Sequence, residues 1–300
     1  LANVKSTRLA HRLGFRLGWL DWNCWRPDRR DRPMPTASKV QTQSQFSECL
    51  VYLNERGALW NAYLAGSTII GWGSPEHLML VACVDDEVSA FADVLLTPDA
   101  PYDFVVHMDA DELSSASALL SALPNGLGHF KLHTPILQKH FDQLCQGERR
   151  ETVINFAVEK DTFRPTTSEY SIQELTSNDE HLFDGCEGSA KGGLYRDDWH
   201  VFAIMAQGRV VSSVIIATII NDPLWSKTIA GIGALFTEEP HRQKGLGRAL
   251  ISFVTQQFLQ SHDAVLYYTT PDNVASQRLI APLGYSRSSE SIDYQLRLPA

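Results

Sequence analysis

The residues best suited to chemistry are six in a row, Arg242-Gln243-Lys244-Gly245-Leu246-Gly247, between a strand-like run and a helix-like one. The first turn of a helix carries backbone N–H groups without partners and the positive end of the helix dipole. Gly245 and Gly247 have no Cβ, so a pyrophosphate could approach those donors closely. Arg242, Lys244 and Arg248 add positive charge at the same point. The chemistry implied is an anion seat after a buried strand. A dinucleotide fingerprint would need glycine or alanine where Leu250 stands, and a P-loop would end in Gly-Lys-Ser/Thr, which is absent. The plain alternative is a strand-to-helix turn whose glycines serve packing.

Groups able to move protons lie on either side of this turn. Glu238, Glu239 and His241 border it, where a solvated loop would also place them. Tyr267 and Tyr268 are neighbours on a strand-like run, so they point to opposite faces and one of them could face a cleft. Tyr285 lies near in sequence, in a place suited to packing. Asp109, Asp111 and Glu112 beside His107 have metal-ligand chemistry, but an acid-rich helix N-terminus has the same composition. No Cys/His spacing matches a zinc site, and no metal is expected.

The elements that must position these groups are read from periodicity. Residues 229–237 and 264–270 read as strands, and Leu246, Ala249, Leu250, Phe253, Val254 and Phe258 form one apolar helix face between them. Residues 199–205 and 210–220 form a hairpin about Gln207-Gly208. The alternation Ile292, Tyr294, Leu296, Leu298 is a half-buried strand. Residues 185–193 read as a mobile glycine-rich loop, after a short helix at 178–185. Before residue 163 the pattern is α/β without a chemical motif. Apolar residues at helical spacing span 46–70, strand-like runs fall at 77–84, 88–96, 104–107, 130–133 and 152–158, and helical runs at 112–123 and 135–145. Residues 25–44 have no hydrophobic period and read as a linker.

Composition narrows the functions. The chain of 300 residues is 44% hydrophobic and 20% charged, which is globular, and its net charge of −9 argues against a general nucleic-acid binder. Residues 1–33 carry eight Lys and Arg against three Asp, leaving 18 basic and 32 acidic residues beyond. Five scattered cysteines read as free thiols in a reducing cytoplasm. The longest apolar run, 210–220, is too short to cross a bilayer, and the start lacks a secretory pattern.

The segment 233–250, GALFTEEPHRQKGLGRAL, resembles the acyl-CoA-binding motif of the GNAT N-acetyltransferase superfamily, and Asn273-Val-Ala-Ser-Gln-Arg-Leu279 with Leu283-Gly284-Tyr285 resembles its second signature. The resemblance covers roughly residues 168–298. The preceding half resembles the fold weakly, in the manner of glycine N-acyltransferase-like members with a degenerate first copy. The resemblance implies an α/β (α+β) GNAT fold, a mixed central sheet with flanking helices. It also implies a splayed pair of strands with the thioester in the gap. Leu235, Phe236 and Thr237 would hold the acyl carbonyl, Gln243, Lys244, Gly245, Leu246, Gly247 and Arg248 the pyrophosphate beside Arg242, and Asn273 and Ser276 the coenzyme or substrate. The donor would be acetyl-CoA, the acceptor a small-molecule or peptide amine attacking directly, and the protein a monomer or homodimer with no nucleic-acid or membrane partner. Many members carry a tyrosine as the thiolate's acid where this chain has Ile280. That leaves Tyr267, Tyr268, Tyr285 and Glu238 as candidates for proton transfer, and a catalytically silent acyl-CoA-binding module as the rival function.

A repeat marks the N-terminus. Asn3, Val4, Ser6, Arg8, Leu9, Leu13 and Gly14 coincide in type and spacing with Asn273, Val274, Ser276, Arg278, Leu279, Leu283 and Gly284. The expected organisation is a GNAT-tail remnant at 1–24, a linker at 25–44, a degenerate half at 45–162 and a catalytic domain at 163–300. A start at Met34 and a chance basic helix are the alternatives for the first segment.

Overall fold

The computed structural model describes residues 34–97, 101–144 and 151–298. The N-terminal repeat and the remnant at 1–24 lie outside the described residues. The chain forms a mixed α/β fold with one twelve-stranded sheet and flanking helices. Its first half runs β1 (Thr36–Lys39), α1 (Gln43–Glu55), α2 (Ala62–Gly71), β2 (His77–Val84), β3 (Glu87–Leu96), β4 (Phe104–Ala110), α3 (Leu113–Ala122), β5 (Gly126–Leu132), α4 (Pro135–Leu144) and β6 (Glu151–Glu159). The second runs β7 (Ile172–Leu175), β8 (Trp199–Ala206), β9 (Arg209–Ile220), β10 (Ile229–Thr237), α5 (Leu246–Phe258), β11 (Ala264–Thr269), α6 (Val274–Ile280) and β12 (Ser286–Leu298).

The order across the sheet is β1-β2-β3-β4-β5-β12-β6-β11-β10-β9-β8-β7. Each half therefore lays down five strands in sequence and then lends its last strand to the other. β6 of the first half pairs with β11, β12 pairs with β5, and the two exchanged strands run antiparallel at the centre. In each half only one neighbouring pair is parallel, β4 with β5 and β10 with β11.

Apolar packing follows this plan. One face of the first half closes under α3 and α4 around Phe104, Phe130, Phe141 and Tyr294. The same face of the second closes under α5 around Leu250, Val254, Val265 and Ile280. Fully burying such a side chain contributes about 1.5–3 kcal/mol. On the opposite face α1 and α2 bury Leu50, Leu53 and Leu64 together with Ile220, Ile229 and Leu266, so helices of the first half cover strands of the second.

Several sequence expectations need correction. Residues 36–39, expected within a linker, form β1; this edge strand is mostly exposed and shows no alternation. The apolar run at 46–70 is two helices, broken where Gly57 takes φ 128°. Thr42 and Gln45 form a capping box that starts α1. The segment expected as a mobile loop at 185–193 folds largely into a 3-10 helix, Ser189–Tyr195, preceded by another at Ser177–Phe183. Cβ atoms at Gly188 and Gly193 would come within 2.9 Å of Phe236 and Val201, so this segment lies packed on the sheet. Phe253, expected on the apolar face of α5, is 40% exposed and packs edge-on against Phe202. No helix of the described residues is long and apolar enough to cross a membrane.

Candidate active site

The site begins with a fault in β10. Its pairing with β9 shifts between Gly233 and Phe236, so Ala234 and Leu235 stand against the single residue Val214. Ala234 takes φ 52°. Such a bulge leaves its extra residue out of the ladder and bends the strand. On its other side β10 pairs with β11 only as far as Ile232↔Tyr267, although β10 runs on to Thr237 and β11 to Thr269. The two parallel strands thus part where Leu235, Phe236 and Thr237 lie. Ser212 fixes the far end: its hydroxyl donates to Phe236 O at 2.9 Å, so the Thr237 hydroxyl donates to Ser212 Oγ at 2.7 Å.

Beyond Thr237 the chain makes a short 3-10 turn, Glu239–His241, and enters α5 through the basic segment. Gln243 takes φ 61° and Gly245 φ 86°, a left-handed conformation that suits Gly245. The six N–H groups of residues 243–248 have no acceptor among the described residues. Arg242, Lys244, Gly245 and Arg248 are exposed, and a Cβ on Gly245 would meet nothing within 4 Å. Arg242 Nε donates to Thr237 O at 3.0 Å, and Tyr170 Oη donates to Lys244 O at 2.6 Å, which ties the turn to the end of β10 and to the start of the half. Gly247 is different: it is buried, and its Cβ would lie 3.0 Å from Leu279 Cδ1. Its lack of a side chain lets α5 pack against α6 as well as baring its own N–H.

The candidate proton-transfer groups separate by face. Tyr267 is buried under α5 and donates to Ser276 Oγ at 3.1 Å, while burial raises its phenol pKa. Tyr285 packs in the same core with its hydroxyl 2.7 Å from Thr255 Oγ1, and burial pushes its pKa well up. Ile280 is fully buried beside them. Glu238 is buried and paired with Arg209. Tyr268 alone of the four is open, 48% exposed on the opposite face. Its hydroxyl lies 3.5 Å from where a Gly233 Cβ would be, next to the bulge. Asn273 and Ser276 have local tasks. Asn273 caps α6 by accepting from Ser276 N at 3.1 Å, and Ser276 Oγ accepts from Tyr267.

One residue at the gap was not foreseen. Tyr63 of α2 packs edge-on against Tyr268, ring centroids 5.8 Å apart, and its hydroxyl lies 3.6 Å from the Cβ position of Gly231. That hydroxyl is buried without a partner among the described residues, and burial, then Tyr268, drives its pKa up. Nothing in the sequence pairs a residue of α2 with β11, since the contact depends on α2 covering the second half. In the acid-rich segment of the first half, Asp109 accepts from Arg56 Nε at 2.8 Å, and Asp111 also pairs with Arg56.

Comparisons with known proteins bear on the fold. A family model described as FR47-like protein matches residues 218–292, from the end of β9 into β12. No curated protein matches the chain. Among solved structures, a protein from Drosophila is 12% identical with TM-score 0.59, over 86% of this chain and 98% of that one. A tandem GNAT protein from the clavulanic acid biosynthesis pathway is 12% identical with TM-score 0.57, over 89% and 99%. A GCN5-related N-acetyltransferase from Kribbella flavida is 16% identical with TM-score 0.52, over 80% and 95%. Identities this low speak to architecture alone. The chain has the GNAT acetyltransferase fold.

Proposed function

We propose that the second half binds acyl-CoA and transfers a short acyl group, such as acetyl, to a primary amine. The observation that carries this reading is the row of six unpartnered N–H groups at residues 243–248, among Arg242, Lys244 and Arg248. A coenzyme pyrophosphate complements that row in charge and in acceptor capacity. When bound, the coenzyme supplies an activated thioester. The chain's own residues do the rest. The parted ends of β10 and β11 leave room beside Leu235, Phe236 and Thr237, and the N–H groups of Leu235 and Thr237 would stabilise negative charge growing on a carbonyl oxygen. The 3-10 helix packed on Phe236 walls that end of the gap.

Direct attack by an amine needs no nucleophilic side chain; it needs a proton for the leaving thiolate. Ile280 cannot supply one, and Tyr267 and Tyr285 are buried on the wrong face. Tyr268 is the remaining hydroxyl, over Gly233, with Tyr63 holding its ring. The first half we read as a degenerate copy of the same fold, in the manner of glycine N-acyltransferase-like proteins. Buried Ile280 supports a second reading, a silent acyl-CoA-binding module. Free-thiol release from acetyl-CoA with a panel of amines separates the two. Release that falls roughly 100-fold or more in Tyr268→Phe, with acetyl-CoA binding kept, supports the enzyme with that acid. Binding without release supports the silent module, and no binding removes both.

A further inference from the structure

Where the exchanged strands meet, an open groove of about 610 Å³ is lined by His129 of β5, Asp293 of β12, Glu151 and Thr152 of β6, and Thr270 and Asp272 just after β11. Asp293 sits between Lys131 and Glu151 in one cross-strand row. Its Oδ2 accepts from Lys131 Nζ and His129 Nε2, each at 2.9 Å. Its Oδ1 has no partner among the described residues, although Asp293 is only 3% exposed. Burial opposes its ionisation, but the bonds from His129 and Lys131 outweigh that and hold the carboxyl below its usual range. Glu151 and Asp272 are exposed and form no ion pair among the described residues. Three carboxylates thus stand with Lys131 and His129, and one buried carboxylate oxygen has no donor among the described residues.

The groove and Tyr268 lie on the same face of the sheet. Tyr268 pairs with Asn155, and Asn155 with Ser289. Alternate residues of a strand share a face, so Ser289, Ser291 and Asp293 continue on the side of Tyr268. All three are buried, as is Asn155, whose Oδ1 also lacks a partner among the described residues. The row of Tyr268 and the row of Asp293 are four residues apart along β12, about 13 Å at ~3.3 Å per residue.

We propose that this groove binds the distal cationic group of the acceptor, making the substrate a small diamine or polyamine whose reacting amine lies at Tyr268 and whose second ammonium lies at Asp293, Glu151 and Asp272. The proposal rests on the acyltransferase reading above, and it selects long amines over short ones and doubly charged over singly charged. The test is the thiol-release assay on the full chain with acetyl-CoA and three acceptors, octanediamine, butanediamine and octylamine. The expected result is a KM for octanediamine at least about tenfold below that for octylamine or butanediamine. In the double variant Glu151→Gln, Asp272→Asn the ratio of the octanediamine KM to the octylamine KM rises to about one, and Glu151→Asp, which keeps the charge, retains most of the preference. Equal KM values for the wild-type protein, or a preference that survives the double variant, overturn the proposal. If no acceptor releases thiol, the acyltransferase reading fails by itself. Calorimetric titration with octanediamine then decides the groove: binding lost in the double variant upholds it as a diamine site, and no binding to the wild-type protein overturns it.

Discussion

The two halves of the sheet match closely through their central hairpins and diverge within their fourth strand. The β2–β3 turn holds Asp85 and Asp86 at φ 53° and 63°, and the β8–β9 turn holds Gln207 and Gly208 at 51° and 77°. Both hairpins shift register just before the turn, at Ala82/Cys83 and at Ile204/Met205. Asp111 N donates to Ser89 O at 2.8 Å, and Glu238 N donates to Val211 O at 2.9 Å, which are corresponding places. Past these bonds the first half has only Asp111 and Glu112 before α3, while the second has the residues 238–245 before α5. β4 meets β3 in unbroken register where β10 bulges, and it stays paired with β5 through Met108↔Leu132. The row of unpartnered N–H groups at 243–248 therefore comes with the length and charge of one connection, and the parted strand ends come with one bulge.

The largest effect should come from the groups that fill the closed half. Arg56 is tied to Asp109, which is fully buried, and to Asp111. Burial opposes the charge on Arg56, but the carboxylates outweigh it, so its pKa rises. Removing one partner of a buried pair strands the other charge, so Arg56→Leu should cost about 3–5 kcal/mol in urea unfolding. The matching pair of the open half, Arg209 and Glu238, has its arginine 44% exposed. Arg209→Leu, which leaves a less buried carboxylate than Asp109, should cost less, about 1–2 kcal/mol. Equal costs would break the contrast between a filled half and an open one.

Next comes pH. His107 and His133 stack in the first half, Nδ1 to Nε2 at 3.3 Å, and burial lowers both pKa values, that of His133 to about 4. A depressed folded pKa means the unfolded chain takes up the proton first as pH falls. The contribution is complete above the unfolded value near 6.5 and is lost between about pH 6.5 and 4. For His133 the loss is on the order of 3 kcal/mol. Unfolding of the wild-type protein and of His133→Gln at pH 7 and pH 4.5 should show a steeper loss in the former, the variant keeping only the share of His107.

At the turn, Gly245→Val forces a branched side chain to φ 86°, at about 1–2 kcal/mol. Acetyl-CoA binding should weaken roughly tenfold, read by titration calorimetry, and the wild-type stoichiometry should be one per chain. Two acetyl-CoA molecules per chain would mean that the first half also binds, against its acidic Asp111-Glu112 connection.

The turn and α5 were legible because their signals are local: glycines and cations at fixed spacing, then an apolar face of period 3.6. The hairpins were legible for the same reason. The exchange of β6 and β12 was not, since strands with similar alternation can pair with either neighbour and only long-range packing chooses. Everything that depends on the exchange was hidden with it. The groove takes Asp293, Glu151 and Asp272 from three strand ends, and Tyr63 reaches Tyr268 only because α2 covers the second half. β1 escaped because an exposed edge strand carries no burial pattern. Gly247 was read as room for an anion, and its contact with Leu279 could not be inferred before α6 was placed.

The smallest effect tests the symmetry itself. If the two hairpins are structurally interchangeable, a residue tolerated in one turn should be tolerated in the other. Asp86 holds φ 63° in the first turn, and Gly208 holds 77° in the matching place. Aspartate enters the left-handed region more readily than most residues because its short side chain bonds the local backbone. Nothing lies within 4 Å of a Cβ placed on Gly208, so no steric term adds to the backbone one. Gly208→Asp should therefore cost less than about 1 kcal/mol, a drop of roughly 2–4 °C or less in thermal midpoint for a unit of this size. Gly208→Val, which lacks the polar side chain, should cost more. A penalty for Gly208→Asp as large as that for Gly208→Val would show that the hairpins match in angle but not in tolerance, and the symmetry would then be one of backbone path alone.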